Sequence, residues 1–97
     1  MKHTFENNTL TFIIYGRADT AKSMRLEPEI DALFKQHEPQ NICFDLAEVD
    51  YIASAFLRIC SKMSKQIDEN HFSIVNTQPS IKKIFKIAGL EKILNVS

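Results

Sequence analysis

Runs of β-branched and aromatic residues alternate along this chain with segments whose apolar positions recur at helical spacing. Thr4 to Glu6 and Thr9 to Tyr15 read as two strands around Asn7-Asn8, a turn-forming pair. Gly16 is expected to end the second, and Asp19 or Thr20 can cap the helix after it. From about Lys22 to Gln36, Leu26, Ile30, Leu33 and Phe34 share one helical face. Pro28 falls either in that helix's first turn, where its missing N–H costs nothing, or at a kink in a longer helix. Asn41 to Leu46 (NICFDL) is a short apolar run bounded by turn-like residues, as a central strand should be. Phe56, Cys60, Met63 and Ile67 then predict a helix from about Ser54 to Asp68 with one buried stripe.

After a turn at Glu69-Asn70, His71 to Asn76 (HFSIVN) reads as another strand. Thr77 is placed to cap a last helix, with Pro79 in its first turn and Ile81, Ile84, Phe85 and Ala88 on its apolar face. Gly89 suits the left-handed position that ends it, and Leu90 to Leu94 adds a further helical turn. The order is ββαβαβα. Right-handed crossovers would make it an α/β domain, a mixed sheet with helices mostly packed on one face.

Ninety-seven residues hold one such domain, so 1–97 is read as a single unit. Twelve basic and twelve acidic residues leave no net field toward nucleic acid or an anionic membrane. The apolar stretches fall short of the roughly 20 residues a membrane span needs. No signal peptide is visible after Met1-Lys2-His3, and the expected location is the cytoplasm.

Enzyme motifs are largely absent. Neither glycine opens a phosphate-binding loop. The three histidines do not stand at ligand spacings with Cys43 and Cys60, so no metal site is expected. Both cysteines read as core residues, and a buried apolar thiol is a poor nucleophile. Asp45, Glu48 and Asp50 read as a solvated turn and not as an acid–base pair.

The junction Tyr51-Ile52-Ala53-Ser54-Ala55-Phe56 is more informative. Small residues cluster where a polar turn meets a helix, which leaves the backbone approachable by a partner. Ser54 has two readings there, a helix cap or a phosphoacceptor. A phosphate would add roughly −1.5 to −2 charges at neutral pH. The helix N-terminus would favour that charge locally, while a partner surface shaped for small neutral residues would reject it.

The stretch ICFDLAEVDYIASAFLRIC, the later IVNTQPSIKKIFKIAGLEKIL and the turn YGRADTAKS occur in the order found in the STAS family of bacterial anti-sigma factor antagonists, which the chain resembles over nearly its whole length. Against that family's common D-S-S-G acceptor pattern, Ala53 replaces the aspartate, Ser54 matches the first serine, Ala55 the second and Phe56 the glycine. The segment SAFLR is closer to an S-S-A-[GF]-L-R variant, and Ser54 is the hydroxyl left in the turn.

The resemblance implies partner switching: docking on an anti-sigma-type serine kinase, release when that kinase phosphorylates the antagonist, and resetting by a phosphatase. It places Asp19, Thr20, Ala53, Ser54, Ala55, Phe56, Leu57 and Arg58 on the docking surface, with Ser54 as the phosphorylation candidate. The kinase would supply ATP, so the chain itself is expected to bind no cofactor; the balanced charge argues against nucleic acid and membrane, and the missing motifs against an enzyme. The alternative implied by the missing second serine is an unphosphorylated STAS scaffold or accessory subunit, such as one of a lipid-transport ATPase complex.

Overall fold

The computed structural model describes residues 1–97 apart from the side chain of Glu69. Strands β1 (Lys2–Glu6) and β2 (Thr9–Ala18) pair antiparallel across a two-residue loop. Asn7 and Asn8 both take positive φ (52° and 63°), which the tight hairpin turn demands and asparagine tolerates. β3 (Asn41–Ile52) lies parallel to β2, and β4 (Phe72–Val75) lies parallel to β3, in the order β1-β2-β3-β4. α1 (Thr20–His37) and α2 (Ser54–Ser64) make the two crossovers, and α3 (Pro79–Ile87) follows β4. The expected α/β order and mixed sheet are both present.

Period-two alternation decides which side of the sheet the helices cover. Leu10, Phe12 and Ile14 of β2, Ile42, Phe44 and Leu46 of β3, and Phe72 and Ile74 of β4 are buried. Their neighbours Thr11, Cys43 and Ser73 are only partly covered. The buried set joins Ile30 of α1, Phe56, Cys60 and Met63 of α2, and Ile81 and Phe85 of α3 in one core. Phe44 is its centre, with ring centroids 5.3 Å from Phe12, 5.6 Å from Phe72 and 6.0 Å from Phe56. Burying each such ring or aliphatic side chain stabilises the fold by about 1.5–3 kcal/mol.

Several boundaries differ from the sequence expectation. β1 begins at Lys2, ahead of Thr4. β2 does not end at Gly16 but runs to Ala18, and β3 continues beyond Leu46 to Ile52. Asp45, Glu48 and Asp50 therefore lie on a strand and not in a turn. Two register shifts, between Ile13 and Tyr15 and between Gly16 and Arg17, each place one extra residue in β3. Leu46, Val49 and Ile52 consequently recur on the buried side every third residue, which hides the strand period. Gly16, at φ 81°, supplies the left-handed backbone at the irregularity.

α1 starts at Thr20, and Pro28 lies in its interior and not in its first turn. Met24 and Pro28 are both exposed, so water can take the carbonyl that the proline ring leaves free. α2 ends at Ser64, and Ile67 packs partly against the core from the following turn. β4 is shorter than expected, covering Phe72–Val75. Thr77 does not cap α3: Gln78 is the N-cap, and the Thr77 hydroxyl donates to the Ser97 carbonyl at 2.7 Å. Gly89 ends α3 as expected, at φ 75°, with Gly89 N–H donating to Lys86 and Leu90 N–H to Phe85.

Candidate functional site

Strands β2 and β3 end in register, Ala18 opposite Ile52. Ala53 N–H donates to the Ala18 carbonyl at 2.9 Å. Each strand feeds a helix at once, so the N-termini of α1 and α2 stand side by side beyond the carboxyl ends of two parallel strands. Open α/β sheets hold ligands and partners at such ends.

The two helix starts differ. Asp19 caps α1, its Oδ1 accepting from Lys22 N–H at 2.9 Å. Ala53 occupies the same position on α2 in the extended conformation a cap needs, and its methyl accepts nothing. Ser54 is the first residue of α2 and not its cap, so the capping reading of this serine is corrected. The amides of Ser54 and Ala55 have no acceptor among the described residues.

Of the sequence-derived docking residues, Thr20, Ser54 and Arg58 are exposed, and Asp19, Ala53, Ala55 and Leu57 are half-buried at the same corner. Phe56 is fully buried against Phe44 and has no surface to offer. Its role is to anchor the start of α2. Ser54, Leu57, Arg58 and Ser61 form the outer face of α2 and border a groove of ≈ 630 Å³ that Leu90 also lines. A second cleft of ≈ 530 Å³ separates α2 from α1. Lys62 bridges the two helices, its Nζ 2.6 Å from Glu27 and 2.9 Å from Asp31. The Glu27 hydrogen bond, with Asp31 behind it, raises the Lys62 pKa despite some desolvation.

Sequence reasoning missed Leu90, Lys62 and Met24. Lys62 and Arg58 follow Ser54 at four-residue intervals, which is a readable signal, and Met24 is an apolar residue off the buried stripe of α1. Leu90 arrives from a distant part of the chain and leaves no local trace.

Cys60 is buried as expected, but Cys43 is only half-buried, on the uncovered side of the sheet. Burial pushes both thiols up, Cys43 further so by Asp45 and against the Ser73 hydrogen bond, so neither is ready as a nucleophile. Among the described residues no three metal-ligating side chains cluster, and no helix is long and apolar enough to cross a membrane.

One covered sheet face and two helix starts at a shared corner define a small α/β module built of one sheet layer and one helix layer. The chain belongs to the STAS domain family, whose model matches residues 2–97. It is 29% identical over 101 residues to BtrV of Bordetella bronchiseptica, which bears the name of an anti-sigma factor antagonist, spanning 100% of this chain and 86% of that protein. Its fold is similar to a crystal structure of an anti-sigma factor antagonist from Mycobacterium paratuberculosis, with TM-score 0.86, 20% identity and coverage of 98% and 81% of the two chains. It is also similar to the anti-sigma factor antagonist SpoIIAA in its unphosphorylated form, with TM-score 0.80, 13% identity and coverage of 99% and 86%. The phosphorylated form of SpoIIAA, a Bacillus cell fate determinant, gives TM-score 0.67 at 14% identity, covering 99% and 91%.

Proposed function

We propose that the chain is an anti-sigma factor antagonist acting by partner switching, docking on a kinase-type regulator through the corner where α1 and α2 begin. The observation that carries this reading is Ser54: an exposed hydroxyl on the first residue of an uncapped helix, flanked by alanines. Small neighbours let a partner's surface approach closely. A kinase can reach the hydroxyl without unfolding the helix, because Phe56 holds α2 to the core from beneath. The phosphate would then lie beside free amides and the positive end of the helix dipole, which favour it locally. The cost falls on the complex, where two negative charges meet a surface fitted to a neutral one. SpoIIAA, whose fold is similar, exists in unphosphorylated and phosphorylated forms, and BtrV's name supports the same class.

Incubation with an anti-sigma-type serine kinase and ATP tests the reading. Intact mass should show one added phosphate, absent in Ser54→Ala, and the phosphorylated chain should leave the kinase on size-exclusion chromatography. No added phosphate together with no complex overturns it.

A further inference from the structure

The cleft between α1 and α2 contains two donors without an acceptor among the described residues. Ser23 is 1% exposed, and its buried hydroxyl has no hydrogen-bond partner. It lines the cleft together with Thr20, Met24, Ala55, Arg58 and Ile59. Buried polar groups are normally satisfied, so an unpartnered hydroxyl just beneath a cleft wall marks a place where an acceptor from outside can be taken up once the wall gives slightly. Arg58, across the cleft, is exposed and has no ion pair or hydrogen bond among the described residues.

The remaining charges are already matched. Lys62 commits its ammonium to Glu27 and Asp31, which offsets the acidic wall that would otherwise repel an incoming anion. Met24 stands at the rim with 70% of its surface exposed, an adaptable thioether suited to the apolar stem of a visiting side chain. Two open donors, one of them a guanidinium, and an apolar rim define the chemistry of what fits.

We infer that this cleft receives an acidic side chain of the docking partner, its carboxylate held by Arg58 and by the Ser23 hydroxyl, its stem against Met24. The inference rests on the proposed docking and adds the partner's chemistry to it. Guanidinium and carboxylate pair in parallel hydrogen bonds of fixed geometry, which gives direction as well as attraction. Arg58 also follows Ser54 by four residues, the spacing at which side chains on a helix meet. A phosphate on Ser54 therefore competes with the incoming carboxylate for the same guanidinium, and release follows from lost attraction as well as from repulsion.

Titration calorimetry of the full chain against the kinase that phosphorylates it, without ATP, tests this. Arg58→Glu should weaken binding by about tenfold or more, and an acidic-to-arginine change on the kinase should restore it. Ser23→Ala should weaken binding by about threefold to tenfold while leaving the melting temperature unchanged or raised, since it removes an unsatisfied buried hydroxyl; a purely structural serine would lower it. Wild-type affinity in Arg58→Glu overturns the inference and leaves the docking intact, whereas no binding by the wild-type chain overturns both. A homodimer in sedimentation velocity that Arg58→Glu abolishes also overturns it, because the occupant is then a second copy.

Discussion

The two helices that begin at the same corner are started by different means. α1 is closed by a side chain: Asp19 takes up an amide of the first turn. α2 is closed by nothing at its cap and is held from below, where Phe56 sinks into the aromatic cluster around Phe44. A polar cap satisfies backbone groups and shields them from visitors. An apolar anchor stabilises the helix and leaves its end open. The difference separates a structural helix start from one available for recognition, and it lies on two residues, Asp19 and Ala53, that occupy equivalent cap positions just past the ends of neighbouring strands.

The strongest way to break this comparison is to remove the anchor. Phe56→Ala should cost about 3–5 kcal/mol, since it deletes a fully buried ring from a close-packed cluster. Chemical denaturation reads this directly, and a loss under about 1 kcal/mol would mean that the start of α2 is held by something other than its apolar side.

Exchanging the caps sharpens it. Asp19→Ala should lower stability by about 0.5–2 kcal/mol, and Ala53→Asp should raise it by a similar amount, because Ala53 already has the extended backbone a cap requires. Thermal melts of both variants and of the double variant decide the matter. Equal losses from both changes would show that the bare start of α2 is not short of a cap.

The core helices and the Ser54 corner were legible because their signals are local. The stripe Phe56, Cys60, Met63 and the Asp19 cap follow from spacing and residue type, and Gly89 from the need for left-handed backbone. The second half of β3 was not legible: its two extra residues turn a period of two into a period of three, and its acidic residues then look like a turn. Thr77 looked like a cap because nothing near it reveals that Ser97 lies within reach of its hydroxyl. Phe56 belonged to two patterns at once, the docking motif and the buried stripe, and burial decides between them. Ser23 was silent, since an unsatisfied hydroxyl is a property of packing and not of sequence.

The smallest effect concerns the strap that joins the two helices below their starts. Lys62→Met should cost only about 0.2–1 kcal/mol, because the ammonium and both carboxylates remain more than one-third exposed and water screens the pairs. Its pH dependence is the sharper readout. The folded-state pKa of Lys62 lies above its ordinary 10.5, so its contribution is fully present below that value and fades as pH rises through the folded one. Melting temperatures of the wild-type and Lys62→Met chains should therefore differ by a constant amount from neutral pH upward and converge only in the alkaline range. Convergence already near neutrality would show that the strap does not operate in solution. The α1–α2 cleft would then owe its width to core packing alone, and the free charge facing a partner would include Lys62 as well as Arg58.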